Sequence, residues 1–292
     1  MKHADVRDPG TMSERKGTMG MLVSGFVGKG LRLLAWILLS SLPLAAGSFN
    51  PFEGPKPLIV MLVSDPWIWV VGSDTPKFVL YEDGQVIQLV KESERKATYY
   101  WKQMSQQELS QFLGKVKACG PFPKKADRIV LTEATDMPET SLFVDLEGAR
   151  YVRSVYGLSW GGGGDVPGRN RAVKIPKEVG ALASLLTQAK IPGMQIWVPR
   201  YVEAMIWPYE YAPEASIYWP KEWPGLSSEK AIKRQSSYSI FLPGAELQRI
   251  SAFLGNRKEK GAVVIDGRKW AVSVRNVFPC EPVWRSAFNG GE

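Results

Sequence analysis

An α+β protein of antiparallel β-hairpins packed with two to three helices is predicted by three features of the sequence. Turn dipeptides such as Asp83-Gly84 and Asp266-Gly267 separate short apolar runs, helical periodicity is confined to a few windows, and no strand-helix-strand series signals a parallel sheet. The order helix then hairpin occurs twice: Glu108-Leu109 with Phe112-Leu113-Gly114 is echoed by Glu246-Leu247 with Phe253-Leu254-Gly255. Two similar halves and an ordinary α+β meander both satisfy that pattern.

The chain opens on a basic stretch with Lys29 and Arg32, an apolar run from Leu33 to Leu44, and the small residues Ala45, Ala46 and Gly47. These read as the three regions of an export signal, with cleavage after Gly47. The run is broken by Ser40, Ser41 and Pro43 and falls short of the roughly 20 residues a span needs, so no stable membrane span is expected after cleavage. No cysteine flanks the cleavage point to carry a lipid. The expected organisation is a signal peptide over 1–47, an N-terminal α+β half over 48–190, and a C-terminal half over 191–292 that begins with an aromatic-rich segment.

Leu58 to Ser64 is a continuous apolar run, and Trp67 to Val71 is rich in aromatic and β-branched residues. Lys77 to Tyr81 and Val86 to Val90 flank Asp83-Gly84, which accepts the positive φ of a tight hairpin turn. Ser105 and Glu108 form a capping box for a helix with Leu109, Phe112, Leu113 and Val116 on one face, and Gly120 suits its stop. A second hairpin, Ser141 to Asp145 and Arg150 to Tyr156, turns at Glu147-Gly148. Gly161 to Asn170 reads as a surface loop, and a helix follows from Pro176 to Ala189. The tail reads strand Tyr238 to Leu242, helix Ala245 to Leu254, and a hairpin from Ala262 to Val277.

The net charge is +8, and three of those positive charges leave with the first 47 residues. The rest are spread without a basic run, so nucleic-acid binding is not expected. The single histidine, His3, lies in the presequence. A mature chain without imidazole has no Ser-His-Asp, Cys-His or histidine-metal chemistry. Gly157-Leu158-Ser159-Trp160-Gly161 matches the nucleophile-elbow spacing but lacks its base. Ser93 to Lys96 and Ser227 to Lys230 match S-x-x-K in charged stretches that would not lower a lysine pKa. The glycine loop lacks the lysine of a phosphate cradle. No catalytic residue, metal or cofactor is expected from these motifs.

One catalytic class stays open. Glycoside hydrolysis needs two spaced carboxylates, and Glu203, Glu210, Glu214 and Glu222 have aromatic neighbours. The leading reading is an exported, envelope-associated protein that binds a ligand without chemistry; a carboxylate-dependent glycan-active enzyme, and an inhibitor or assembly factor acting through the loop at Gly161 to Asn170, are its alternatives. Eight aromatic rings crowd residues 196–223, interleaved with prolines that break regular structure. Trp197, Trp207, Tyr209, Tyr211, Trp219 and Trp223 are therefore the candidate ligand-binding residues, as a platform for an envelope glycan or protein. The competing outcome is an extended strap with its rings turned inward. Cys119 and Cys280 are an even pair that one disulfide could join in an oxidising compartment.

Phe78-Val79-Leu80-Tyr81-Glu82-Asp83-Gly84, Thr135-Asp136-Met137-Pro138-Glu139-Thr140 and Trp219-Pro220 to Pro224-Gly225-Leu226 give the chain a further likeness. It resembles a broad group of exported bacterial proteins of unknown function that share F-x-L-Y-x-D-G, T-D-x-P-x-T and W-P…P-L motifs. The resemblance implies a common fold and an exported location, and it carries no catalytic or ligand residue. Many members have a lipobox cysteine, which is missing here.

Overall fold

The computed structural model describes residues 49–64, 75–93, 96–123, 125–158 and 172–290. The proposed signal peptide, the Trp67 to Val71 run, Ser159 to Gly161 of the elbow match and the Gly161 to Asn170 loop with Arg169 lie outside them. Strand β1 (Pro57–Ser64) explains its own composition. Ile59 and Met61 point to one face of the first sheet and Val60 and Leu62 to the other, and both faces are covered, so the strand has no solvent side on which to place polar residues.

That sheet has eight strands in the order β5-β7-β6-β1-β2-β3-β4-β8. Its other members are β2 (Pro76–Tyr81), β3 (Gln85–Ser93), β4 (Lys96–Gln103), β5 (Lys125–Val130), β6 (Glu139–Leu146), β7 (Ala149–Tyr156) and the short β8 (Gln195–Ile196). β2 and β3 meet at Asp83-Gly84, where Gly84 has φ +87°. Helix α1 (Gln106–Ala118) starts on the capping box: Glu108 N donates to Ser105 Oγ (3.3 Å), and Ser105 N donates to Glu108 Oε2 (2.8 Å). Helix α2 (Lys177–Thr187) follows Pro176. Both helices cover one face, burying Leu109, Phe112, Val116, Val179, Leu182 and Leu186.

A second sheet, in the order β10-β13-β14-β9-β12-β11, contains β9 (Tyr201–Pro208), β10 (Glu214–Tyr218), β11 (Ala231–Arg234), β12 (Ser237–Pro243), β13 (Gly261–Ile265) and β14 (Arg268–Asn276). A 3-10 turn over Gly244–Glu246 leads into α3 (Leu247–Gly255), whose Ile250 joins the core on one face of this sheet. Two pairs, β5 with β7 and β10 with β13, are parallel, and the remaining pairs are antiparallel.

The structure departs from expectation at four places. The aromatic stretch is not an irregular strap: it contains β9, which pairs antiparallel with both β12 and β14. Pro199 precedes this strand and Pro208 closes it, so proline marks its limits instead of breaking it. A fourth helix, α4 (Glu281–Phe288), follows β14 with a proline in its first turn. The expected boundary near residue 190 falls inside one compact unit, Gly47–Glu292. Its C-terminal half returns to the first sheet, with β8 pairing to β4 and α4 packing on β1, β6 and β7. Finally, the repeated helix-hairpin order enters the two sheets in opposite senses. β6, the first strand of its hairpin, lies beside β1, whereas β14, the second strand of its hairpin, lies beside β9.

Candidate functional site

β9 places Val202, Ala204 and Ile206 in the core of the second sheet, so Glu203, Met205 and Trp207 must face the other way. At one end of that opposite face, Phe49 and Phe52 cover the buried Phe241 of β12; the remainder is more open. It forms one wall of a cleft of about 460 Å³, whose other side is α4 with Glu281, Pro282, Arg285 and Asn289. The volume lies in the range of small-molecule sites. Phe52 from the N-terminal segment and Trp207 supply aromatic surface, and Arg234, Ser237, Ser239 and Arg275 supply polar groups; the Tyr238 ring turns to the other face of the sheet, edge-on to Trp270.

The floor is an ion network. Arg275, on β14, touches Glu203 through Nη2 and Glu281 through Nη1, and the Arg285 guanidinium also meets Glu281. Glu203 and Glu281 are 2% and 1% exposed, and the Arg275 side chain 8%. Ser239 Oγ donates to Glu203 Oε1 and accepts from Arg234 Nε (3.1 Å), and Phe278 N donates to Glu281 Oε2 (3.2 Å). Glu203 Oε2 meets the guanidinium of Arg275 without an aligned hydrogen bond. Burying these charges away from water is tolerated because opposite charges lie in contact. Near the network, burial and then the Glu281 charge push the Tyr81 phenol well above its ordinary range, so it stays neutral and donates to Pro279 O (3.3 Å).

Two carboxylates in a partly aromatic cleft are the raw material of a glycosidase. Here every one of their oxygens already faces a guanidinium, a hydroxyl or a backbone N–H. Such a pair holds charge in place and offers neither a proton donor nor a nucleophile aimed at a ligand. The other candidate glutamates are elsewhere: Glu210 pairs with Arg268 (2.8 Å), Glu222 with Arg249, and Glu214 accepts from Lys260 N. The structure therefore does not gather the four into a site.

The six aromatic candidates are dispersed too. Trp219 and Trp223 are 8% and 6% exposed, lie 4.9 Å apart and pack edge-on against Phe253. Their indole N–H groups donate inward, to Pro224 O (3.0 Å) and Glu246 Oε2 (2.8 Å). Trp197 is buried against Phe278, 4.7 Å between ring centres, on the first sheet. No platform contains these three. Tyr209 is half-buried, Tyr211 is exposed outside the cleft, and only Trp207 of the six lines it.

The cysteines do not bridge. Both are free: Cys119 belongs to the helical core on one face of the first sheet, and Cys280 caps α4 on the opposite face. A sheet intervenes between them, so no backbone adjustment short of refolding brings them to bonding distance. Burial raises both thiol pKa values. Among the described residues, no group of three His, Cys, Asp or Glu side chains converges on a common point, and no helix is long and apolar enough to cross a membrane.

Arg234, Ser239, Arg275, Glu281 and Arg285 were not among the residues singled out from sequence. The available signal was the alternation of β9, in which Val202, Ala204 and Ile206 interleave with Glu203, Met205 and Trp207. No family model, no curated protein and no solved structure matches the chain.

Proposed function

We propose that the chain is an exported bacterial envelope protein that binds a ligand without transforming it, and that the cleft between the second sheet and α4 is the binding site. The observation that carries this reading is a sheet face whose central strand presents the half-buried Met205 and Trp207 to an open cleft above the buried Glu203. Engagement of both buried carboxylates by donors favours binding over hydrolysis. The export signal read over residues 1–47 and the motifs shared with exported proteins support the location.

A binding screen of the protein against envelope glycans and proteins tests the proposal, repeated with Trp207→Ala and Arg234→Gln. Ligands whose binding is lost in both variants, with no product released from the glycan, support it. Ligands that bind both variants as they bind the parent overturn the assignment of the cleft.

A further inference from the structure

We infer that the cleft selects a carboxylate-bearing sugar, with Arg234 receiving the carboxylate and Trp207 the ring; this rests on the cleft being the binding site. Three guanidiniums, those of Arg234, Arg275 and Arg285, face two carboxylates among the described lining residues. The cleft thus carries one positive charge in excess, and it favours an anion over a neutral or cationic guest.

The three arginines are not equivalent. Arg275 is buried between Glu203 and Glu281, and the Arg285 guanidinium lies against Glu281 and over the Trp284 ring, 4.8 Å from its centre. Both are committed to the floor. Arg234 sits at the end of edge strand β11 with its side chain 53% exposed. It gives Nε to Ser239 Oγ, and its Nη2 stands 3.7 Å from Glu203 Oε1, beyond a good hydrogen bond. Its half-exposed guanidinium lines the cleft and is oriented through Nε by Ser239. A planar fork held in this way is suited to a carboxylate, which it can grip through two parallel hydrogen bonds.

The remaining walls argue against a bare anion. Trp207 and Phe52 offer aromatic surface, Asn289 offers an amide able to donate and accept, and Ser237 Oγ, which donates to Arg234 O (2.8 Å), is able to accept. An inorganic ion would use none of them. A pyranose ring bearing one carboxylate presents an apolar face of C–H groups, a rim of hydroxyls and one charge, and those three features match the aromatic wall, the short polar groups and Arg234.

The test is a titration of the protein with D-glucuronate, D-glucose and acetate at constant ionic strength, read at the indole resonances of the tryptophans by NMR. Glucuronate should shift the Trp207 indole and bind about tenfold or more tightly than either glucose or acetate, the scale expected of one charge-assisted contact added to ring contact. Arg234→Gln should abolish the preference over glucose while leaving the unfolding midpoint close to that of the parent, since the side chain is half exposed. Equal binding of glucuronate and glucose, or an Arg234→Gln variant that binds glucuronate as the parent does, overturns the inference. Acetate binding as tightly as glucuronate overturns its sugar half. Failure of all three probes to reach Trp207 overturns the inference alone. The broader cleft assignment falls only if ligands found by screening ignore Trp207→Ala and Arg234→Gln.

Discussion

Arg275 and Glu281 form a buried ion pair that joins the second sheet to a helix lying on the first. Arg275 belongs to β14, and Glu281 opens α4 six residues later in the chain. The pair therefore fixes the angle at which the chain leaves one sheet and settles on the other, and it sets the width of the cleft between them.

Arg275→Met is expected to destabilise the protein by about 3–5 kcal/mol, because Glu203 and Glu281 would be left as buried charges without their shared partner. Urea unfolding gives the value. Adding Glu203→Gln and Glu281→Gln to Arg275→Met should recover a large part of the loss, since the uncompensated charges are then gone.

Trp223→Ala is expected to cost about 3–5 kcal/mol, as for other large-to-small changes at buried aromatic sites. It removes the ring packed on Trp219 and Phe253 and leaves Glu246 without its indole donor. Ligand affinity measured on the folded protein should stay unchanged, in contrast to Trp207→Ala. A loss of affinity from Trp223→Ala at full folding would return the buried rings to the binding site.

The hydrogen bond from Lys102, and then those from Ser105, hold the Glu108 carboxyl down to about 2, against 4.5 for the free group. The folded state therefore resists taking up this proton more than the unfolded chain does. The stabilisation is complete above about pH 4.5 and is lost as pH falls toward 2. Glu147, lowered by Lys117, acts in the same sense. Acid unfolding followed by circular dichroism should show a shallower loss of stability over this window in Glu108→Gln than in the parent.

Both cysteines should titrate as thiols in the oxidised preparation, and dithiothreitol should leave the melting temperature unchanged. Alkylation at neutral pH should be slower than for an exposed cysteine, since burial raises both thiols. Mass spectrometry before and after iodoacetamide reads both outcomes. A preparation that is two hydrogens lighter and gains thiols only on reduction would establish a bridge between Cys119 and Cys280.

Gly244→Ala should prevent or severely weaken folding, because a Cβ there would stand 1.6 Å from the carbonyl oxygen of Pro199. The clash is with backbone, so no rotamer change relieves it. Soluble yield and hydrogen exchange at β9 and β12 give the check; a well-folded variant would mean that the segment entering β9 can shift.

Most of the first sheet is legible in the sequence because its signals are local. The Asp83-Gly84 turn, the Ser105 and Glu108 cap and the two-sided burial of Ile59 to Leu62 each depend on a handful of neighbouring residues. β9 is less legible: its prolines and tryptophans suggest irregularity, and only the pairing with β12 and β14, more than 30 residues away in sequence, gives them a regular frame. α4 is hidden for a related reason. Its few apolar residues, among them Trp284 and Ala287, acquire meaning from the face of the first sheet they cover. The cleft is harder still to read, since Arg234, Glu203, Arg275 and Glu281 come from four separate elements, and no spacing rule links residues that meet only through the crossing of β9, β11 and β14 with α4. The T-D-x-P-x-T motif illustrates the opposite limit. Asp136 takes the left-handed conformation, and Tyr156 ties the segment down by donating to Ala134 O and accepting from Met137 N, so these residues shape a turn.

The seating of α4 also sets an order of events during synthesis. Val60, Val79 and Phe143 are made more than 130 residues before Phe278 and Trp284, which cover them. While the ribosome is still translating the second sheet, one oily side of the first has nothing to rest against, and contacts spanning so long a sequence close slowly. A nascent chain in that condition is open to chaperones until the segment that forms α4 has been made and docks.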